Sequence, residues 1–205
     1  MSETEKSPAP EANPARASRA PSGLIVGLTG KFAAGKGTVA DLLVARGFAY
    51  HSLSDVIREE LKRRGVPESR ENLTEAGNSL RREHGPAALA IMIRERLLDG
   101  GCHIVDSIRN PAEVEILKAL PGFFLVGVDA AREVRFARLR LRDRQGDPTS
   151  WEQFCALEDK ETHSTDPTTQ QLSATWRSID ETLMNDGTVA ELELALNALL
   201  AARGA

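Results

Sequence analysis

From Gly23 onward, short apolar runs alternate with longer stretches whose apolar residues recur at three- and four-residue spacing. That alternation predicts an α/β domain, a mostly parallel sheet covered by helices. Leu24-Ile25-Val26-Gly27-Leu28 reads as the first buried strand, and Val39, Leu42 and Leu43 form the inner face of the helix after it. Phe48 to Ser52 reads as a second strand. Helical patterns follow over Asp55 to Arg64, Asn72 to Glu83 and Pro86 to Leu98, with Asn72 as an N-cap and Pro86 in a first helical turn. His103 to Asp106 is a third strand ending in an acid, Pro111 to Leu120 a helix, and Phe123 to Val128 a fourth strand. Ala131 to Arg142 is a basic helix, broken at Gly146-Asp147-Pro148. Ser150 with Gln153 and Thr188 with Glu191 have the spacing of capping boxes that open two further helices, with a fifth strand between them over Ile179 to Met184. The expected architecture is one doubly wound domain with a five-stranded sheet and helical insertions.

The first 22 residues carry no such pattern. They are rich in Pro, Ala, Ser and charge, so they bury too little to offset ordering entropy and read as a disordered tail before a domain spanning 23–205. The formal net charge of -4 gives no electrostatic reason to expect a nucleic-acid backbone as partner. The absence of an apolar run of about 18 residues argues against a membrane span, and no apolar signal core is visible. Cys102 and Cys155 lie far apart without metal-ligand spacing and read as reduced thiols of a cytoplasmic protein. The four histidines show no metal spacing either, Trp151 and Trp176 read as packing residues, and oligomeric state is left open.

The segment Gly30 to Thr38, GKFAAGKGT, follows the first strand and opens a helix. A triphosphate is polyanionic, and consecutive backbone N–H groups of a glycine loop meet it closely, aided by the positive end of the next helix. Gly30 permits the turn, Ala33, Ala34, Gly35, Gly37 and Thr38 offer amides, and Lys36 supplies a point charge for the β- and γ-phosphates. Gly37 stands where many such loops have a Mg²⁺-binding hydroxyl. Thr38 then reads as an α-phosphate contact or weaker metal ligand, and Mg²⁺ arrives with ATP through water, with Asp106 in its outer shell. The competing reading is an ordinary strand-helix turn.

The loop resembles the Gly-x-Pro-Gly-x-Gly-Lys-Gly-Thr loop of adenylate-type nucleoside monophosphate kinases, with Phe32 for the proline and Ala33 for the middle glycine. Ser52-Leu53-Ser54-Asp55-Val56-Ile57-Arg58 is similar to those kinases' Ser-x-Gly-Asp-x-x-Arg. Across most of the chain, SLSDVIREELKRRG, ENLTEAGNSLRREHG, IVDSIRNPAEVEIL, GDPTSWEQF and MNDGT occur in the order seen in archaeal and bacterial nucleotide-kinase-like P-loop proteins. Related domains resemble phage-type deoxynucleoside monophosphate kinases and the kinase-like halves of some deoxycytidylate deaminases. The resemblance implies a P-loop NTPase fold with a helical acceptor-binding insertion and a short lid, binding ATP and a small phosphorylated acceptor.

It also implies roles for particular residues. Arg58 would hold the acceptor phosphate, with Asp55 three residues before it on one helix face orienting or deprotonating the acceptor. The competing reading places both in a solvated, charge-laced helix. Arg109 follows the acid-ended strand, as in the kinases' Asp-Gly-x-Pro-Arg but one residue sooner, and would also meet the acceptor phosphate; an Asp106–Arg109 ion pair is the alternative. Arg135, Arg138 and Arg142 share a helix face with Arg144 close behind, and Arg138 and Arg142 are the lid arginines expected to stabilise the transferring phosphoryl group. A solvated basic helix is the alternative there. Asn185-Asp186-Gly187-Thr188 reads first as a helix-entry turn and second as an adenine contact. The chain thus reads as an ATP-dependent nucleotide kinase; dephospho-CoA kinase, with Asp55 as base, or a nucleotide-binding regulator without turnover are the rivals.

Overall fold

The computed structural model describes residues 23–142, 147–162 and 166–204. The tail at 1–22, Arg144, Gly146 and His163 lie outside them. Five strands, β1 (Ile25–Gly30), β2 (Ala49–Ser52), β3 (His103–Asp106), β4 (Phe123–Asp129) and β5 (Glu181–Met184), pair in the order β2-β3-β1-β4-β5. Every pairing is parallel, so the expected α/β sheet is present. Nine α-helices accompany it among the described residues: α1 (Lys36–Val44), α2 (Leu53–Arg64), α3 (Arg70–His84), α4 (Ala88–Ile93), α5 (Pro111–Lys118), α6 (Arg132–Arg142), α7 (Trp151–Thr162), α8 (Leu172–Trp176) and α9 (Val189–Ala202).

Parallel strands covered on both faces need apolar side chains in both directions. Along β1, Val26 and Leu28 point to one core with Ile104, Phe124, Val126 and Val128, closed by Val39 and Leu43 of α1 and Leu192, Leu196 and Leu200 of α9. The alternate residues Ile25, Val105 and Leu125 point to a second core built with α2, α3, α4 and α5. On that second face β1 and β4 each carry a glycine where a ring lies close. A Cβ on Gly27 would stand 2.6 Å from the Phe123 ring, and one on Gly127 2.8 Å from the Trp176 ring.

Boundaries moved where local hydrogen bonding decides. The third helix is capped by Ser69, whose hydroxyl accepts from Asn72 N at 3.1 Å, so Asn72 is not the N-cap; its side chain donates to Pro67 O instead. Pro86 lies in the turn ahead of α4, which starts at Ala88 and passes into a 3₁₀ turn over Arg94–Leu97. Ser150 accepts from Gln153 N, but Gln153 Oε1 returns to Thr149 N rather than to Ser150. The Thr188–Glu191 capping box forms as expected. A further capping box at Asn110 with Glu113, with Pro111 behind it, starts α5. The five-residue α8 is too short to show a period and went unanticipated.

Arg135 leaves the expected basic face altogether. It is 1% exposed, with Nη2 2.7 Å from Glu158 Oε1, Nε 2.9 Å from Ala130 O and Nη1 3.4 Å from Phe32 O. It thereby ties α6 to α7 and to the loop after β1. Arg135→Ala is expected to cost on the order of 2 kcal/mol by removing a fully buried cation from Glu158, which keeps Arg132 at its other oxygen, read as a fall in the urea unfolding midpoint.

Candidate functional site

The loop between β1 and α1 lies at the carboxyl ends of the central strands, where ligands of open α/β sheets bind. Two glycines there have no substitute. Gly30 has φ 147° and a Cβ would fall 2.1 Å from Val128 O; Gly35, the N-cap of α1, has φ 99° and a Cβ would meet Asn185 Nδ2 at 2.1 Å. Ala33 also takes a left-handed φ of 61°. No side chain caps α1 and no acid occupies its first turn, so its positive end faces the cleft. Asn185 buttresses the loop by donating from Nδ2 to Ala34 O at 2.9 Å. The turn after β5 therefore supports the phosphate loop in addition to starting α9. Lys36 folds back, its Nζ donating to Gly30 O at 2.7 Å and Lys31 O at 3.1 Å.

A cleft of about 720 Å³ runs from this loop toward α2 and α3. It is lined by every loop position from Phe32 to Thr38 and by Asp106, Arg58, Arg109, Arg138 and Arg142. The predicted residues are thus brought together, with two exceptions: Gly30 and Asp55 are not on the cleft wall. Gly30 contributes its carbonyl to Lys36. Asp55 stands behind Arg58, 2.7 Å from its Nη1, while Glu68 takes Arg58 Nε at 2.9 Å and holds its pKa up together with Asp55.

Asp106 accepts from Ser107 N through Oδ1 at 2.6 Å and from the Tyr50 hydroxyl through Oδ2 at 3.0 Å. Arg109 Nη1 reaches Gln170 Oε1 at 2.7 Å. Arg142 binds Asp147 at 2.8 and 3.1 Å and lies over the Phe32 ring, 4.6 Å from its centroid. Arg70, at the start of α3, lies over the same ring at 4.6 Å. Arg138 Nη2 approaches Asn185 Oδ1 at 3.3 Å, whereas its Nη1 is buried without a hydrogen-bond partner among the described residues, 3.9 Å from where a Gly35 Cβ would stand.

Two of the histidines, on the neighbouring strands β2 and β3, meet each other. His51 Nε2 contacts His103 Nδ1 at 3.1 Å, His103 Nε2 meets Asp99 at 2.7 Å, and burial with the neighbouring His103 lowers the His51 pKa. Among the described residues no group of three or more His, Cys, Asp or Glu could hold a metal ion, and no helix is long and apolar enough to cross a membrane. Trp151 packs edge-on against Phe136, with Phe154 beside it.

An AAA domain family model matches residues 29–154. The chain is 34% identical over 133 residues to a UPF0200 protein of Hyperthermus butylicus, covering 64% of this chain and 72% of that one. It is 39% identical over 135 residues to a UPF0200 protein of Aeropyrum pernix, covering 64% and 71%. The chain belongs to the UPF0200 proteins and carries their AAA domain. Its fold is similar to TT1252 from Thermus thermophilus (TM-score 0.54, 24% identity, 87% of this chain and 97% of that one). It is also similar to shikimate kinase from Aquifex aeolicus (TM-score 0.54, 13% identity, 88% and 98%). This UPF0200 chain therefore has a P-loop kinase-like fold.

Tyr50 offers a direct probe of the site's acid. Burial, then the adjacent Asp106 carboxylate, push the phenol up from 10.0 to about 12. The raised value means that this contribution to stability is intact below the unfolded pKa and is lost as pH climbs through about 12. Since Tyr50 is the single tyrosine, absorbance titration reads it alone, and Asp106→Asn is expected to lower the midpoint.

Proposed function

We propose that this UPF0200 protein is an ATP-dependent phosphotransferase whose acceptor is a small phosphorylated molecule, a nucleoside or deoxynucleoside monophosphate. The observation that carries the reading is Nη1 of Arg138, buried beside the Gly35–Lys36 cradle with no hydrogen-bond partner among the described residues. A buried guanidinium nitrogen with no acceptor is costly, and a phosphate oxygen satisfies it. The solved structures of similar fold include proteins described as shikimate kinase and as gluconokinase, the latter from Sinorhizobium meliloti, which supports kinase chemistry.

In this reading the amides from Ala33 to Thr38 take the phosphates of ATP, and Lys36 exchanges its two carbonyl partners for β- and γ-oxygens. Arg138 stabilises charge developing on the transferred group, joined by Arg142 once it leaves Asp147. Arg58 and Arg109 hold the acceptor phosphate from the far side of the cleft. Mg²⁺ would accompany ATP: Asp106 and Thr38 line the same cleft as Lys36, and the ion would rest on phosphate, water and Asp106. When bound it neutralises phosphate charge.

A phosphate acceptor ionised at neutral pH needs no base, which agrees with Asp55 pairing Arg58 away from the cleft wall. Asp55→Asn should then raise the acceptor KM a few-fold through Arg58; complete loss of turnover would instead favour a hydroxyl acceptor such as dephospho-CoA. ADP release measured over a panel of monophosphates and dephospho-CoA tests the whole reading. Lys36→Ala is expected to lower kcat/KM about 100-fold or more. ATP binding with no acceptor-stimulated turnover would sink the kinase and leave a nucleotide-binding regulator.

A further inference from the structure

Beyond the phosphate-binding arginines, the cleft continues between α2, α3 and α4. Its walls there carry Leu53 and Ile57 of α2, Leu73 of α3 and Leu89 of α4, with Ser54 and Thr74 beside them. One of the charged side chains on this stretch is itself buried. Arg81 of α3 is 3% exposed and lines the cleft, and its partner Glu113 of α5 is 0% exposed. Nε and Nη2 of Arg81 both donate to Glu113 Oε1, at 3.1 and 2.7 Å. The other oxygen, Oε2, accepts from the backbone N–H groups of Arg109 and Asn110 at 3.0 and 3.1 Å.

Two consequences follow from this arrangement. First, Glu113 fixes Arg81 and the Arg109 backbone to one carboxylate, so the guanidinium stands at a set distance from the phosphate-binding loop. Second, the Arg81 charge is already balanced, and among the described residues its Nη1 has no hydrogen-bond partner. Nε and Nη2 are taken up by Glu113, so Nη1 is the donor that Arg81, as a lining residue, can offer to the cleft. Gly77 keeps space beside it: a Cβ there would stand 3.4 Å from Nη1 and 2.9 Å from Ile57 Cδ1. A second anion here would be set against the buried Glu113 carboxylate, which disfavours phosphate or carboxylate. A neutral carbonyl oxygen satisfies Nη1 without that repulsion. Aliphatic side chains beside one such donor suit a ring with a carbonyl edge.

We propose that Arg81 donates to a ring carbonyl of the acceptor's base, so that the site takes uracil, thymine, cytosine or guanine monophosphates in preference to adenine. Uracil, thymine and guanine carry a carbonyl at the ring position where adenine carries its amino group, and cytosine carries one across the ring nitrogen from its own amino group; adenine has no ring carbonyl, and its amino edge leaves two donors facing each other. This inference rests on the monophosphate-acceptor reading above.

The test uses the full chain with UMP, dTMP, CMP, GMP and AMP, reading kcat and KM for each by ADP release. Binding of each nucleotide in the presence of a non-hydrolysable ATP analogue is measured by calorimetry. At least one carbonyl-bearing base should exceed AMP in kcat/KM by about tenfold or more, because a buried donor without its acceptor discriminates strongly. Arg81→Met combined with Glu113→Gln removes both buried charges together and keeps an oxygen for the Arg109 and Asn110 amides, so the fold should survive. It should cut that preference to within about threefold through the KM of the carbonyl bases, with AMP little changed. Arg81→Lys keeps the charge against Glu113 but not the Nη1 donor, and should lose the preference likewise. AMP used as well as the others, or a preference unchanged in both variants, overturns the assignment of Arg81 while leaving the acceptor reading standing. Binding that follows the predicted preference without turnover overturns the kinase and keeps Arg81 as the base contact. Failure of every monophosphate to bind overturns both.

Discussion

Strand β1 is the middle strand of a parallel sheet, hydrogen-bonded on both edges and buried on both faces. Everything at the ligand end depends on that position. A central strand cannot turn away early, so the chain leaves it at the carboxyl edge of the sheet with β4 already alongside. Gly30 fits because only a hydrogen leaves room for the Val128 carbonyl. The loop is then pinned again from its other side, where Asn185 at the end of β5 bonds Ala34 and lies against Gly35. Placement of the amides around Lys36 is thus set by three strands and not by the loop alone.

The sheet and the phosphate loop were legible in the chain because both rest on short-range rules: apolar runs for buried strands, and glycine and lysine spacing for an anion cradle. Helix ends were legible where a capping pair shows itself, as at Thr188 and Glu191. They were misjudged where a serine competes with a neighbouring asparagine, as at Ser69 and Asn72. Arg135 reads as a basic surface residue at the spacing of Arg138 and Arg142. It is instead buried, because Glu158 lies one helix away in space and 23 residues away in sequence. Glu113 was likewise invisible, since its partners Arg81 and the Arg109 amide come from a separate helix and a loop. Pairings of this kind have no local signature; only the packing of α3 against α5, or of α6 against α7, creates them.

The candidate site divides by how its cations are held. Arg58 and Arg142 rest on carboxylates that a ligand can replace at modest cost, because those pairs are partly solvent-exposed. Arg81 and Arg135 are sealed against buried acids and will not move without unfolding their surroundings. The first pair suits groups that change partners during a cycle, and the second suits fixed reference points.

Phe32, which replaces proline in the resembled loop, takes on a meaning that a sequence comparison does not supply. Two guanidinium groups, one from the start of α3 and one from the end of α6, gather at its ring. Like charges so placed would ordinarily disperse or recruit counter-ions from solution. The electron-rich ring attracts both, adding to the Asp147 carboxylate that holds Arg142. A polyanionic ligand entering the cleft would meet cations already assembled and with fewer bound ions to expel.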